Sequence, residues 1–443
     1  MKDLTKGNPL KLILSFALPV FIGNVLQLCY NLADTRIVGS CLGETALAAV
    51  GATSSLNSLI IGFLLGLTNG FSVITARFFG AKDENGVKKS VAASLILGSA
   101  TAVFLIFLSV TFLTPILRAL NTPAGIMGMS RSYIRIILLG MIFSMLYNIC
   151  SSALRAIGDS LTPLYFLLIS TILNILLDIL FVKYLGFGIQ GAATATVIAQ
   201  AFSVVLSVVY IYRHFPILHI SVGDLKFNAD FAKNMYASGL SMGLMMSLVY
   251  FGTLALQSSI NTFGENIIVA HSAARKITEL YMLIFSVFGT TMTTYCGQNL
   301  GAKKYSRIRK GLVQIILITW GWCLLVILAS YTIAPLLIKA VTASDIPEII
   351  DTSTKYLRIN SVFYFVPAVI SILRSSMQGI GDHITPIISS FIELVGKVMI
   401  VIFLAPKIGY MGIIVSEPIV WILMVIPLIV MIIRNPVIRN NGY

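Results

Sequence analysis

Two carboxylates stand where apolar side chains are the rule. Gln27, Tyr30, Asn31 and Asp34 are spaced by three and four within an apolar run, which puts all four on one face of a helix. Asn174 and Asp178 are four apart in LNILLDILF, with Leu and Ile around them. A carboxylate in that setting needs a partner, a proton or a bound cation. Thr196, in the apolar run that follows, adds a hydroxyl. Two carboxylates, an amide and a hydroxyl form a hard oxygen set, suited to a proton or a small hard cation. Asp34, Asn174, Asp178 and Thr196 are therefore the expected cation-coupling residues, and the expected metal ligands if the cation is sodium. The competing reading of Asn174 and Asp178 is that they only bond neighbouring helices together.

The later part of the chain carries different chemistry. Glu393 and Lys397 are four apart in ELVGK and read as a helical ion pair. Lys276 and Glu279, three apart, read as a second pair; Glu417 precedes Pro418 and suggests no partner. Met242, Met245, Met246, Tyr250 and Tyr364 are candidates to line a substrate cavity, because Met and aromatic surfaces adapt to varied ligands; packing explains them equally well. Gln27, Tyr30, Asn31, Lys276, Glu393 and Lys397 complete the cavity candidates. Pro19 lies inside the first apolar run, should kink it, and is the candidate hinge. The four histidines, His214, His219, His271 and His383, are scattered, and no GxxxxGK[ST] loop is present. An embedded enzyme and an ATP-driven pump are both disfavoured. The five cysteines show no CxxC spacing, so neither a disulfide nor a metal framework is expected. No enzyme activity and no cofactor beyond a coupling ion, H+ or Na+, is expected.

The elements that must position these residues are membrane spans. Hydrophobic residues make up 57% of the 443-residue chain and charged residues 11%; the mean hydropathy is +0.92. A soluble fold of this length could not cover itself with so few charges, since about 25% is usual. About 20 apolar residues cross a bilayer. Runs of that size recur at 10–38, 46–79, 90–117, 132–156, 163–185 and 188–212, then at 234–262, 267–299, 311–338, 353–379, 385–405 and 410–433. The first reads as a retained helix, not a removed signal. Lys82, Lys88 and Lys89 in one short loop, and Lys303, Lys304, Arg307, Arg309 and Lys310 in another, give the strongest basic bias. Those loops and both termini are expected on the cytoplasmic side of a cell membrane, inner or plasma. The net charge of +14 is then a topology signal, and no nucleic-acid partner is expected.

The twelve runs form two matching sets. FFGAKD (78–83) pairs with NLGAKK (299–304), YIRI (133–136) with YLRI (356–359), and IGDSLTP (157–163) with IGDHITP (380–386). Six spans per unit make the repeats parallel, and such transporters bind substrate between halves. The expected division is an N-lobe at 1–212, a cytoplasmic linker at 213–233 and a C-lobe at 234–443. On the matching register Asn174 aligns with Lys397 and Asp178 with Val401, so the halves share a scaffold but not their ionisable groups. The repeated Gly-Asp-x-x-Thr-Pro reads as a tight turn. Gly158 and Gly381 end one helix, Thr162 and Thr385 cap the next, and Pro163 and Pro386 follow. Gly62, Gly66 and Gly70 recur every fourth residue, a spacing for close helix contact in lipid.

These residues resemble the multidrug and toxic compound extrusion (MATE) transporters over almost the whole chain. The first span reads P-x7-Q-x2-YN-x2-D-x3-VG-x2-LG, followed by ALAAVG; the Gly-Ala-Lys loops, the Gly-Asp-x-x-Thr-Pro turns and the parallel repeat also fit. The resemblance implies an all-α integral membrane fold, with twelve transmembrane helices in two six-helix bundles forming a V. It implies a secondary active exporter that exchanges organic, often cationic, compounds for protons or sodium ions by alternating access. Asp34, Asn174, Asp178 and Thr196 match a prokaryotic branch in which coupling resides in the N-terminal lobe. Other branches also carry acids on helices seven and ten, and this chain has none there. The implied partners are small organic substrates and the lipid bilayer, and the protein is expected to act as a monomer. The alternative within the wider superfamily is a flippase for a lipid-linked saccharide. It would draw on cations such as Arg275, Lys276 and Lys397 to meet pyrophosphate; the first-half carboxylates argue against it.

Overall fold

The computed structural model describes residues 2–226, 228–342 and 344–439, and every regular element among them is helical. We label the long helices. The first half holds α1 (Pro9–Leu42), α2 (Glu44–Gly80), α3 (Glu84–Thr111), α4 (Ala124–Ala156), α5 (Leu161–Asp178) and α6 (Gly188–His214). The second holds α7 (Ala229–Ile260), α8 (Glu265–Gly301), α9 (Tyr305–Thr332), α10 (Pro347–Val362), α11 (Phe365–Gly379), α12 (Ile384–Met399) and α13 (Tyr410–Arg434). Among the described residues ten spans are long and apolar enough to cross a membrane; α10 and α11, bent by 57° at their junction, make an eleventh. α8 is the twelfth helix of spanning length, at 37 residues, and its Arg275, Lys276 and Glu279 make it the least apolar. The chain is a multi-pass membrane protein.

Local sequence explains the breaks. Gly158 and Gly381 hold φ of 84° and 93°, the left-handed conformation that glycine alone adopts without strain. The helix that follows each is capped by the aspartate, not by the expected threonine. Asp159 Oδ1 accepts from the backbone N–H of Leu161 and Thr162 at 3.1 and 3.0 Å, and Asp382 does the same for Ile384 and Thr385. The Thr162 and Thr385 hydroxyls donate to those same carboxylates and brace the caps. α1 runs through Pro19 without interruption. α5 passes into a π-helical turn at Ile179–Tyr184 and α12 into another at Ile400–Leu404, at matching places in the two repeats. Such turns often mark functional positions.

The helices divide into two compact units. One takes Leu18–Gly243, with Lys2 and Asp3; the other takes Leu4–Ala17 and the chain from Leu244. The units therefore change over inside α1, just before Pro19, and inside α7, rather than at the linker. In the first unit Leu64, Leu67 and Phe71 of α2 pack with Leu138, Met141 and Met145 of α4. Lipid tails are as apolar as Leu, so burial does not drive helices together in a membrane; close backbone contact and polar bonds do. A Cβ at Gly66 would lie 2.5 Å from the Met242 carbonyl, and one at Gly70 only 2.3 Å from that of Ser238. The spaced glycines thus seat α2 against α7. Ser238 Oγ donates to the Gly70 carbonyl at 2.8 Å, and Ser144 of α4 bonds Gln200 of α6. In the second unit Leu256, Ile277, Tyr356, Leu357 and Ile413 form the core.

Candidate functional site

The first unit gathers the coupling candidates from three helices. α1 supplies Tyr30 and Asp34, α5 supplies Asn174 and Asp178, and α6 supplies Thr196. Asp178 is 0% exposed and Asn174 2%; Asp34 and Thr196 are half-buried. Asp34 and Asp178 stand close enough for their charges to interact. With its amide nitrogen turned toward Asp178, Asn174 donates to Asp178 Oδ2 at 2.9 Å and accepts from the Thr196 backbone N–H at 3.2 Å. The Thr196 hydroxyl donates to the Ala192 carbonyl at 3.1 Å. Asp178 Oδ1 meets no protein donor among the described residues. Two ionised carboxyls this close repel and have no proton of their own to share. The arrangement becomes satisfied when a proton or a small cation lies between them.

The remaining first-half candidates stand apart from this cluster. Gln27 and Asn31 are exposed and bond each other at 3.4 Å. Tyr133 of α4 stands within electrostatic reach of Asp34, Asp178 and Tyr30. A signal for it was present. The repeated YIRI and YLRI strings place Tyr133 in one half and Tyr356 in the other, and Tyr356 Oη donates to the buried Glu417 at 3.0 Å.

The second unit holds its charges in closed pairs. Lys397 Nζ donates to Glu393 Oε1 at 2.9 Å, as the spacing predicted. Arg374, which reads in the sequence as a cytoplasmic charge, is instead buried within α11 and lies 3.5 Å from Glu393 Oε2. It also bonds Ser389 Oγ at 3.1 Å. Glu417 pairs with Arg275 at 2.6 Å, an interaction no local spacing could reveal because the partners lie on α8 and α13. No ion pair joins Lys276 to Glu279, contrary to expectation; both are exposed to the surroundings. Of the cavity candidates, Met242, Met245 and Tyr364 are buried, and Met246 is half-buried. Tyr364 bonds Thr278 at 3.0 Å and packs on Trp421. Tyr250 is exposed.

The MatE family model matches residues 19–180 and 241–404. The chain is 28% identical over 306 residues, 69% of its length and 68% of the relative's, to "Probable multidrug resistance protein YpnP" of Bacillus subtilis. It is 22% identical over 382 residues, 85% and 83% of the two chains, to "Multidrug export protein MepA" of Staphylococcus aureus. Among solved structures it shares the fold of an outward-facing multidrug resistance MATE family transporter of the MOP superfamily. That match has a TM-score of 0.90 over 99% of this chain and 98% of the other, at 24% identity. A parallel repeat of six spans, a carboxyl pair inside the first unit and a family match spanning both halves converge: the chain belongs to the MatE family of multidrug and toxic compound extrusion transporters.

Proposed function

We propose that the protein is a secondary active exporter. It moves organic cationic or amphipathic compounds out of the cell in exchange for protons or sodium ions, by alternating access. The observation that carries this reading is the buried Asp178, held by Asn174 beside Thr196 and within charge reach of Asp34. A proton or sodium ion entering there halves the pair's negative charge, and its leaving restores a more negative site that favours a cationic substrate. Substrate and ion then exclude each other, and such linkage is reciprocal. Pro19 is the proposed hinge, because it removes one backbone hydrogen bond from α1 and sits where that helix changes units. Both termini and the linker at 213–233 face the cytoplasm in this reading. The flippase alternative would meet a pyrophosphate with cations such as Arg275, Lys276 and Lys397; Arg275 is engaged by Glu417, and the acids Asp34 and Asp178 in the first unit argue against an anionic substrate there. Purified protein in liposomes, given a pH gradient and a sodium gradient separately, tests the proposal. Movement of organic cations driven by at least one gradient is expected; movement by neither overturns it.

A further inference from the structure

The buried charges of the second unit do not balance. Arg374, Glu393 and Lys397 are 8%, 6% and 5% exposed. Two cations share one carboxylate, at 3.5 and 2.9 Å, and no other acid pairs with either cation among the described residues. Glu393 and Lys397 sit near the middle of the 25-residue Ile384–Ile408 span, where an uncompensated charge is most costly. Donors are left over as well. One Lys397 N–H goes to Glu393, and the Arg374 Nε and Nη2 protons go to Ser389 and Glu393. Arg374 Nη1 meets no protein acceptor among the described residues. The stem of Lys397 packs against Gly252 of α7, where a Cβ would lie only 3.1 Å from Lys397 Cδ.

The internal repeat sharpens the contrast. Lys397 aligns with Asn174. The first half places a neutral amide beside two acids, a site short of positive charge. The second places a fixed ammonium beside one acid that an arginine already neutralises, a site short of negative charge. We infer that the second unit binds an acidic group of the transported compound, a carboxylate, sulfonate or phosphate, through Lys397 and Arg374. The inference rests on the export reading and narrows its substrate class. The compounds handled best then carry an acid as well as an apolar or basic body.

The test uses two dyes that differ only at the acid. Rhodamine 19 is the free acid and rhodamine 6G its ethyl ester. Binding is read by fluorescence polarisation with purified protein, and movement in ion-loaded liposomes. Wild type is expected to bind rhodamine 19 more tightly. Lys397→Met and Arg374→Gln each leave a one-to-one ion pair, so both should fold. Each should weaken rhodamine 19 by about tenfold, the scale of one charge-assisted hydrogen bond, and leave rhodamine 6G nearly unchanged. A misfolded variant would lose both dyes together, and the other variant then decides. If wild type binds the two dyes equally, or either folded variant keeps the full preference for the acid, the inference is overturned. Loss of ion-driven movement for both dyes in wild type counts instead against the export reading.

Discussion

Replacing Asp178 by Asn removes the buried one of the two carboxylates that define the first-unit site and changes almost no volume. Asp178 is 0% exposed and takes a 2.9 Å bond from Asn174, which the new amide can accept in turn through its oxygen. The fold should therefore survive. What is lost is half the negative charge facing the coupling ion. Breaking a buried charge pairing costs about 3–5 kcal/mol, which at about 1.4 kcal/mol per decade is roughly two to three and a half decades of ion affinity. Thermal unfolding of purified protein reads this directly. A ligand present at about a hundred times its dissociation constant stabilises the folded state by about 2.7 kcal/mol. After a hundredfold loss of affinity the same concentration gives only about 0.4 kcal/mol. In the wild type, saturating sodium or a fall in pH should raise the unfolding midpoint. In Asp178→Asn that rise should nearly vanish, together with gradient-driven efflux from liposomes, while yield and elution volume stay unchanged. A variant that keeps both the ion-dependent rise and ion-driven efflux would refute the assignment of coupling to this carboxyl pair.

Three further outcomes are expected. In the second unit, Glu393→Gln should be destabilised by about 3–5 kcal/mol because it leaves two buried cations without their acid; Lys397→Met should lose far less, and the reverse order in thermal unfolding would contradict the charge count. Gly66→Leu should lower thermal stability by at least about 1–3 kcal/mol, the scale of overpacking, since even a Cβ would meet the Met242 carbonyl at 2.5 Å; a neutral effect would mean that α2 and α7 are not in backbone contact. Cysteine introduced at Lys88 or Lys310 should resist a membrane-impermeant maleimide applied to intact cells, and ready labelling from outside would invert the topology.

Much of this protein is legible in its sequence because the bilayer is a strict solvent. Apolar runs of spanning length must become helices, since backbone groups in lipid have no other way to be satisfied. Twelve such runs and their repeat follow directly. The ligands of the first-unit site are legible for the same reason: Asp34, Asn174 and Asp178 stand out against Leu and Ile, and their three- and four-residue spacings fix which of them share a helix face. Gly66 and Gly70 likewise announce a close contact, though not its partner. Tertiary structure alone decided which elements meet. That Asp34 of α1 reaches Asp178 of α5, and that Arg275 of α8 finds Glu417 of α13, depends on helix packing across long sequence separations, for which a single sequence holds no local signal. Arg374 shows the limit most clearly. Near a helix end it is indistinguishable from a cytoplasmic topology charge, and only its approach to Ser389 and Glu393 turns a simple ion pair into a buried cluster with positive charge to spare.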